Sequence, residues 1–261
     1  DINTYSIKFN EKKFDESEHA KKVSDYLRIK NYKIEINDND IQNIFDNDLS
    51  LIDEPLGDVS IIPTIHLSRI AKNEVSVALG GDGGDEIFGG YTKYKNIHYK
   101  YLLNKYVKGI LKPSLSVNKV LNISKLKTLE KYISLPLDYR SFYKQDSSVF
   151  DVDRLLNDTP SRNNLDSIFN KADNDFYKSD RRSLLHIDFQ SFMVDSVLVK
   201  SDRASMLSGL ELREPLLDYR LVEYAIHSNA DILFHKGQTK AMLKSIAHDL
   251  LPKKIMKRKK G

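Results

Sequence analysis

The feature that most restricts the fold is a short apolar run, residues 75–79, that leads directly into a loop of glycines and carboxylates. The run does not alternate between apolar and polar residues, which is typical of a strand buried on both faces of a parallel sheet. In open α/β sheets, ligands bind where loops leave the carboxyl ends of the strands. The run and its loop therefore predict an α/β fold with a ligand site formed by four glycines and three carboxylates (Gly80, Gly81, Asp82, Gly83, Gly84, Asp85 and Glu86).

The residues before this loop fit an alternation of strands and helices. Residues 5–9 and 32–36 alternate apolar and polar side chains, as half-buried strands do. Strands separated by helices indicate a parallel sheet with crossover connections. The helices are predicted from apolar residues at helical spacing (Ala20, Val23 and Leu27; Ile41, Ile44 and Phe45; Ile65, Leu67 and Ile70).

After residue 91 the pattern becomes helical. Residues 96–175 contain scattered apolar positions and no convincing strand, whereas residues 184–198 and 241–251 carry apolar faces at helical spacing. We therefore predict an α/β layer over residues 1–91 and a largely helical region over residues 92–261.

Composition limits the class of protein. The chain has 261 residues, of which 40% are hydrophobic and 30% charged, as in globular proteins. No apolar run approaches the roughly 20 residues that a membrane helix needs. The chain has no cysteine, which excludes disulfides, thiolate zinc sites and a cysteine nucleophile among these residues. We predict a cytoplasmic protein without a membrane partner.

The glycine-rich loop has more than one interpretation. Consecutive glycine N–H groups can bind an anion, and the neighbouring carboxylates suit a phosphate if Mg²⁺ lies between them. Neither of the common phosphate-binding glycine motifs occurs here. The alternative is a glycine-rich turn in which Asp85 and Glu86 interact with the positive end of the next helix.

Four further segments carry recognisable patterns. Residues 53–60 read Asp-Glu-Pro-Leu-Gly-Asp-Val-Ser, residues 200–206 read Lys-Ser-Asp-Arg-Ala-Ser-Met, and residues 211–218 read Glu-Leu-Arg-Glu-Pro-Leu-Leu-Asp. The last segment is dispersed over Lys240, Leu251, Pro252, Arg258 and Lys260, and its end lies in a cluster of basic residues. With residues 79–91, these five ordered segments resemble the synthetase domain of the glutamine-dependent asparagine synthetase family, a branch of the PP-loop ATP pyrophosphatases. One departure is Gly80, where that family usually has serine.

The resemblance implies an α/β fold of the adenine nucleotide α-hydrolase type. In it, residues 1–91 would form a partial, Rossmann-like nucleotide-binding layer, and residues 92–261 the helical part of the same synthetase domain. It also implies a two-step reaction. ATP adenylates a carboxylate, most simply the β-carboxylate of aspartate, and ammonia derived from glutamine then gives the amide and AMP. ATP and Mg²⁺ are the implied cofactors. Asp85 would hold Mg²⁺ and pyrophosphate, and the backbone of Gly80 and Gly81 would lie against the adenylate.

The resemblance also implies roles for charged residues. Asp82 would manage the proton of the attacking nitrogen, and Lys260 would stabilise the transition state and pyrophosphate. Asp202 and Arg203 would bind the substrate, Arg203 through a carboxylate. Simpler alternatives stand beside these roles. Asp82 could only shape its loop, Lys260 could belong to a solvated basic run, and the charges at residues 202–213 could form a buried salt-bridge network.

The family's Ser-Gly-Gly-x-Asp-Ser loop, expected before residues 5–9, and its N-terminal glutaminase domain do not occur in these residues. We therefore expect part of a longer synthetase, cut at both ends and inactive alone, with ammonia supplied by a glutaminase domain. A homodimer is compatible with the family. The alternatives are a related enzyme that adenylates another carboxylate or a tRNA base, and a noncatalytic remnant. Nucleic-acid binding through the basic end is less favoured.

Overall fold

The computed structural model describes residues 2–54, 56–115, 132, 134–146, 181–235 and 238–256. The chain forms two compact units. The first contains residues 1–83, 192–221 and 242–261, and the second contains residues 84–191 and 222–241. These units are divided differently from the predicted regions 1–91 and 92–261, which remain a prediction about domain organisation.

The described elements are mainly helical, with four short strands. The strands are β1 Asn3–Lys8, β2 Lys30–Glu35, β3 Val77–Leu79 and β4 Glu211–Arg213. The α-helices are α1 Ser17–Leu27, α2 Asp38–Asn47, α3 Ile61–Lys72, α4 Gly84–Phe88, α5 Thr92–Leu115, α6 Tyr139–Asp146, α7 Arg182–Gln190, α8 Val199–Met206, α9 Tyr219–His227, α10 Ala230–Leu233, α11 Ala241–Leu250 and α12 Lys253–Met256. The 3₁₀-helices Leu49–Leu51 and Pro215–Leu217 and the π-helix Met193–Leu198 complete the list.

Strands β1 and β2 confirm the first predicted strand–helix–strand unit. They pair in parallel, joined by α1, with Tyr5 opposite Tyr32 in the register. The two rings stack with centroids 5.1 Å apart. A parallel pair requires a crossover connection, and α1 provides it here.

Strands β3 and β4 form a second parallel pair that the sequence predicted only in part. The expected strand at residues 75–79 is present but shorter, and its predicted burial on both faces is wrong. Val77 is 42% exposed and Leu79 is 72% exposed, because β3 belongs to a two-stranded sheet among the described residues. Strand β4 lies in the region predicted to be helical. Its sequence, Glu-Leu-Arg, has a single apolar residue, so it carries no strand signal.

The core of the first unit lies between its helices. Helix α2 begins at a capping box, in which the Asn37 side chain accepts a hydrogen bond from the Asp40 N–H and the Asp40 side chain accepts one in return. Helix α3 packs on α8. The fully buried members of the core are Ile44, Ile61, Ile65 and Ala204. Each large aliphatic side chain buried in this way contributes about 1.5–3 kcal/mol to folding.

The predicted apolar helix over residues 184–198 is divided in the structure. Helix α7 ends at Gln190, and the next residue, Ser191, leaves the helical region with φ −125° and ψ −83°. A π-helix, Met193–Leu198, then continues directly into α8. Wider π-turns often occur near functional sites. Here the π-turn precedes the segment 200–206 that carries one of the family patterns.

The second unit is organised around a buried acid. Asp188 on α7 is completely buried and accepts hydrogen bonds from the hydroxyl groups of Tyr94 and Tyr143. Lys93 Nζ lies 2.7 Å from Asp188 Oδ2. Burial raises the pKa of the Tyr94 hydroxyl, and the charge of Asp188 raises it further. The unit therefore has a polar centre whose charge is matched by a lysine.

Candidate functional site

The glycine-rich loop leaves the carboxyl end of β3, as predicted. Gly80 N–H donates to the carbonyl of Arg213 at 2.8 Å, which extends the β3–β4 pairing by one hydrogen bond. Gly83 has φ +84°, in the left-handed region, and a Cβ there would lie 2.7 Å from Leu217 Cγ. Only glycine combines this conformation with such a close approach. The loop is therefore shaped by contacts with residues 213–217.

Asp82 is the point at which three of the family segments meet within the first unit. Its backbone N–H donates to Glu214 Oε2 at 2.8 Å. Its carboxylate Oδ2 accepts a hydrogen bond from the Ser201 hydroxyl. These contacts join the loop after β3, helix α8 and the residue after β4. A carboxylate that is oriented by a hydroxyl, on a loop whose backbone is also held, is suited to accepting a proton at a defined position.

Asp58 and Lys200 add a fourth segment. Lys200 Nζ lies 3.5 Å from Asp58 Oδ2 and 3.2 Å from Ser60 Oγ, and Ser60 N–H donates to Asp58 Oδ1 at 2.9 Å. Burial opposes ionisation of Asp58, but the hydrogen bonds from Ser60 and the charge of Lys200 outweigh it and lower the pKa of its carboxyl. Two consecutive residues of α8 therefore contact two different segments: Lys200 contacts residues 58 and 60, and Ser201 contacts Asp82.

The substrate-binding residues predicted on α8 lie at the surface. Arg203 forms an ion pair with Asp202 at 3.1 Å, and their side chains are 44% and 60% exposed. Arg213 pairs with Glu211 at 2.8 Å, also at the surface. The alternative of a buried salt-bridge network is therefore wrong, because both ion pairs are exposed. Exposed pairs of this kind contribute little to stability. A role for Asp202 and Arg203 in binding substrate remains a prediction.

Asp85 lies in the second unit, in the first turn of α4. Its Oδ1 is 3.2 Å from Lys240 Nζ, and both side chains are about three-quarters buried (25% and 29% exposed). Lys240 has φ +52°, and its N–H donates to the Gly89 carbonyl at 3.2 Å. Next to Asp85, the fully buried Glu86 accepts a hydrogen bond from the Tyr91 hydroxyl. The second half of the motif therefore builds a local cluster of its own.

The donor set restricts the kind of metal site that Asp85 can form. Within the part of the chain that the structure describes, no three His, Asp or Glu side chains converge to hold an ion. A single carboxylate beside a lysine fits a Mg²⁺ ion that takes its other ligands from phosphate oxygens and water. The same pair does not resemble an all-protein metal cage. Lys260 lies outside the described residues.

Sequence reasoning missed several members of these clusters. Ser201, Glu214, Asp58 and Lys240 all fall within the segments quoted above, but none of them received a role. Glu214 and Ser201 occupy positions at which the family patterns specify no residue, so the patterns provide no signal. Long-range contacts such as Ser201–Asp82, 119 positions apart, cannot be inferred from one sequence.

Comparison with known proteins identifies the family. The model of the asparagine synthase family matches residues 1–261. The chain belongs to the asparagine synthase family. The family's domain is of the PP-loop type, and together with the short parallel sheets this confirms the predicted Rossmann-like α/β class. The family uses ATP.

Similar proteins carry the same family name. The chain is 28% identical, over 99% of its length, to glutamine-hydrolyzing asparagine synthetase 1 of Bacillus subtilis. It is 33% identical, over 79% of its length, to a putative glutamine-hydrolyzing asparagine synthetase 2 of Methanocaldococcus jannaschii. These matches cover 42% and 40% of the two relatives, so the chain spans about two fifths of the length of the asparagine synthetases that it matches. Among the described residues, none of the helices combines the length and the apolar character that a membrane span requires.

Proposed function

We propose that the protein is an ATP-dependent amide-forming synthetase that converts aspartate to asparagine with ammonia derived from glutamine. The observation that carries this proposal is the meeting of four family segments around Asp82 in the first unit. Hydrogen bonds from Ser201 and to Glu214, together with the neighbouring Lys200–Asp58 pair, support a site built for chemistry at the end of β3. The relatives' names supply the choice of substrate.

The proposed reaction has two steps. An oxygen of the substrate carboxylate attacks the α-phosphorus of ATP, and the bond between that phosphorus and the bridging oxygen breaks to release pyrophosphate. Ammonia then attacks the acyl carbon, the bond to AMP breaks, and the nitrogen loses one proton. The backbone of Gly80 and Gly81 would lie along the adenylate. The Gly80 N–H already donates to the Arg213 carbonyl, and glycine at position 81 leaves open space for a close approach.

Asp82 would accept the proton that the nitrogen loses. Its carboxylate is oriented by Ser201, and its backbone is held by Glu214, so the accepting oxygen has a defined position. General-base assistance of this kind typically accelerates a reaction by about 10²–10⁴-fold. Asp85 would hold Mg²⁺, which neutralises charge on the leaving pyrophosphate. Lys240 beside it would add a second positive charge, and Lys260 keeps its predicted role at pyrophosphate.

The full-length protein tests the proposal in two assays. Aspartate-dependent exchange between ATP and labelled pyrophosphate reports adenylation, and asparagine formation with glutamine or ammonium reports the whole reaction. Wild type should perform both. D82N should retain exchange and lose most asparagine formation, because only the second step requires the base. Exchange that requires a different carboxylate would overturn the choice of aspartate, and no exchange with any carboxylate would overturn the synthetase proposal.

A further inference from the structure

In the first unit, the Glu214 carboxylate fills the space that a side chain at position 80 would need. A Cβ built on Gly80 would overlap the Glu214 carboxylate and lie 2.6 Å from its Cδ. By contrast, a Cβ on the neighbouring Gly81 would meet open space. The carboxylate therefore stands where a side chain at position 80 would begin. This is the position at which the chain departs from the serine usual in the resembled pattern.

Glu214 also holds the loop through a hydrogen bond. It follows β4 directly, and its Oε2 accepts from the Asp82 N–H at 2.8 Å. Its other oxygen, Oε1, is buried and has no hydrogen-bond partner among the described residues. A buried acceptor without a partner carries an uncompensated cost of desolvation. The environment of the carboxylate is thus unfavourable for its charged form. Burial accordingly raises the pKa of the Glu214 carboxyl.

We propose that Glu214 is a positioning residue that takes the place of a side chain at position 80 and fixes the backbone of Asp82. In this arrangement the Glu214 carboxylate leaves no room for a side chain at position 80, so the effects of changes at the two positions depend on each other. The link to catalysis rests on the proposed function, because it is Asp82 that Glu214 positions. The steric link between positions 80 and 214 does not depend on that function.

The first test measures the steric link through thermal unfolding of the full-length protein. G80S should lower the melting temperature by roughly 3–10 °C, as expected for an overpacked site in a unit of this size. In the E214A background, the same G80S change should lower it by no more than about 2 °C, because the space has been vacated. G57A is the matched control, since a Cβ on Gly57 meets nothing within 4 Å.

The second test measures positioning through asparagine formation. E214A should lower kcat by at least about tenfold with a smaller change in KM, because misplacement of a reacting group affects the chemical step. E214Q keeps an acceptor oxygen for the Asp82 N–H and should stay within about threefold of wild type. E211A changes the exposed glutamate on β4 and is the control for loss of charge.

The outcomes separate the two proposals. Equal melting-temperature losses for G80S in the wild-type and E214A backgrounds would overturn the steric link, whether or not the protein is active. An active wild type whose E214A variant keeps its kcat would overturn the positioning role. An inactive wild type would overturn the proposed function and, with it, the catalytic role of Glu214, and the unfolding test would still decide the steric link.

Discussion

The hydroxyl of Ser201 donates a hydrogen bond to the carboxylate of Asp82, although 119 positions separate the two residues. Ser201 lies on α8 and is 4% exposed, whereas Asp82 is half-buried, so the contact joins a buried hydroxyl to a partly exposed carboxylate. The hydroxyl gives the carboxylate a fixed direction that a loop residue would otherwise lack. The contact connects the two family segments that contain most of the chemistry-bearing residues.

Replacing Ser201 with alanine should therefore impair the amide-forming step. We expect S201A to lower asparagine formation by about tenfold or more, because Asp82 loses the group that orients it, while aspartate-dependent exchange changes less. The matched control is S205A on the same helix. Ser205 is also buried, but its hydroxyl donates to the carbonyl of Asp202 in its own helix. Equal effects of the two variants would contradict a specific role for Ser201.

Asp85 should affect the earlier step. D85N retains the size of the side chain but loses the charge that would hold Mg²⁺ opposite Lys240. We expect exchange and asparagine formation to fall together, by at least about tenfold, because several kilocalories of charge stabilisation at pyrophosphate are at stake. Addition of Mg²⁺ should restore part of the exchange. A D85N variant with normal exchange and a normal Mg²⁺ requirement would exclude Asp85 as the ligand.

The buried acid of the second unit should matter for stability. D188A removes a fully buried acceptor and leaves Lys93, Tyr94 and Tyr143 without it. We expect the free energy of unfolding to fall by about 3–5 kcal/mol in denaturant titrations. D231A is the control, because Asp231 is 83% exposed in its pair with Arg181. That change should cost less than about 1 kcal/mol. Similar losses in both variants would show that Asp188 has no special importance.

His98 should contribute to the pH dependence of stability. Burial, and then the charge of Arg181, lower the pKa of His98 to about 4, whereas the nearby Asp231 opposes this shift. The unfolded chain therefore binds a proton at a pH where the folded chain does not. Stability is lost as the pH falls from about 6.5 towards 4. We expect the drop in unfolding free energy between pH 7.5 and 5 to be up to about 1 kcal/mol smaller in H98Q, with allowance for solvent screening. Equal drops in H98Q and wild type would contradict the low pKa.

The parts of the fold that could be predicted are those with a local signal. Periodicity located β1, β2 and the helices α1 to α3, because half-buried elements must repeat their apolar residues at fixed spacing. Strand β4 escaped prediction because three residues with one apolar side chain have no period. The burial of β3 was also predicted wrongly, since exposure depends on how many strands the sheet has, which no local pattern records.

The residues of the candidate site also fall into those with a local sequence signal and those without one. The glycines and Asp82 could be predicted because they directly follow an apolar run typical of a strand, at the end where ligands bind in α/β sheets. Glu214 is not visible, since its importance comes from contact with Gly80 across 134 positions of chain. The substrate-binding pair, Asp202 and Arg203, was chosen by resemblance. Its exposed position on α8 could not be read from charge alone, because an ion pair looks the same in sequence whether buried or solvated.

The first unit is discontinuous, with residues 1–83 completed only by residues 192–221 and 242–261. The ribosome therefore releases the glycine-rich loop long before it makes Ser201 and Glu214, the residues that hold the loop in place. Domains commonly fold from the N-terminus as they are synthesised, at about 5–20 residues per second. Here the early segment must wait several seconds for its partners. A nascent chain arrested before residue 201 should leave Asp82 accessible, and one in which residues 192–261 have been made and have left the ribosome should protect it.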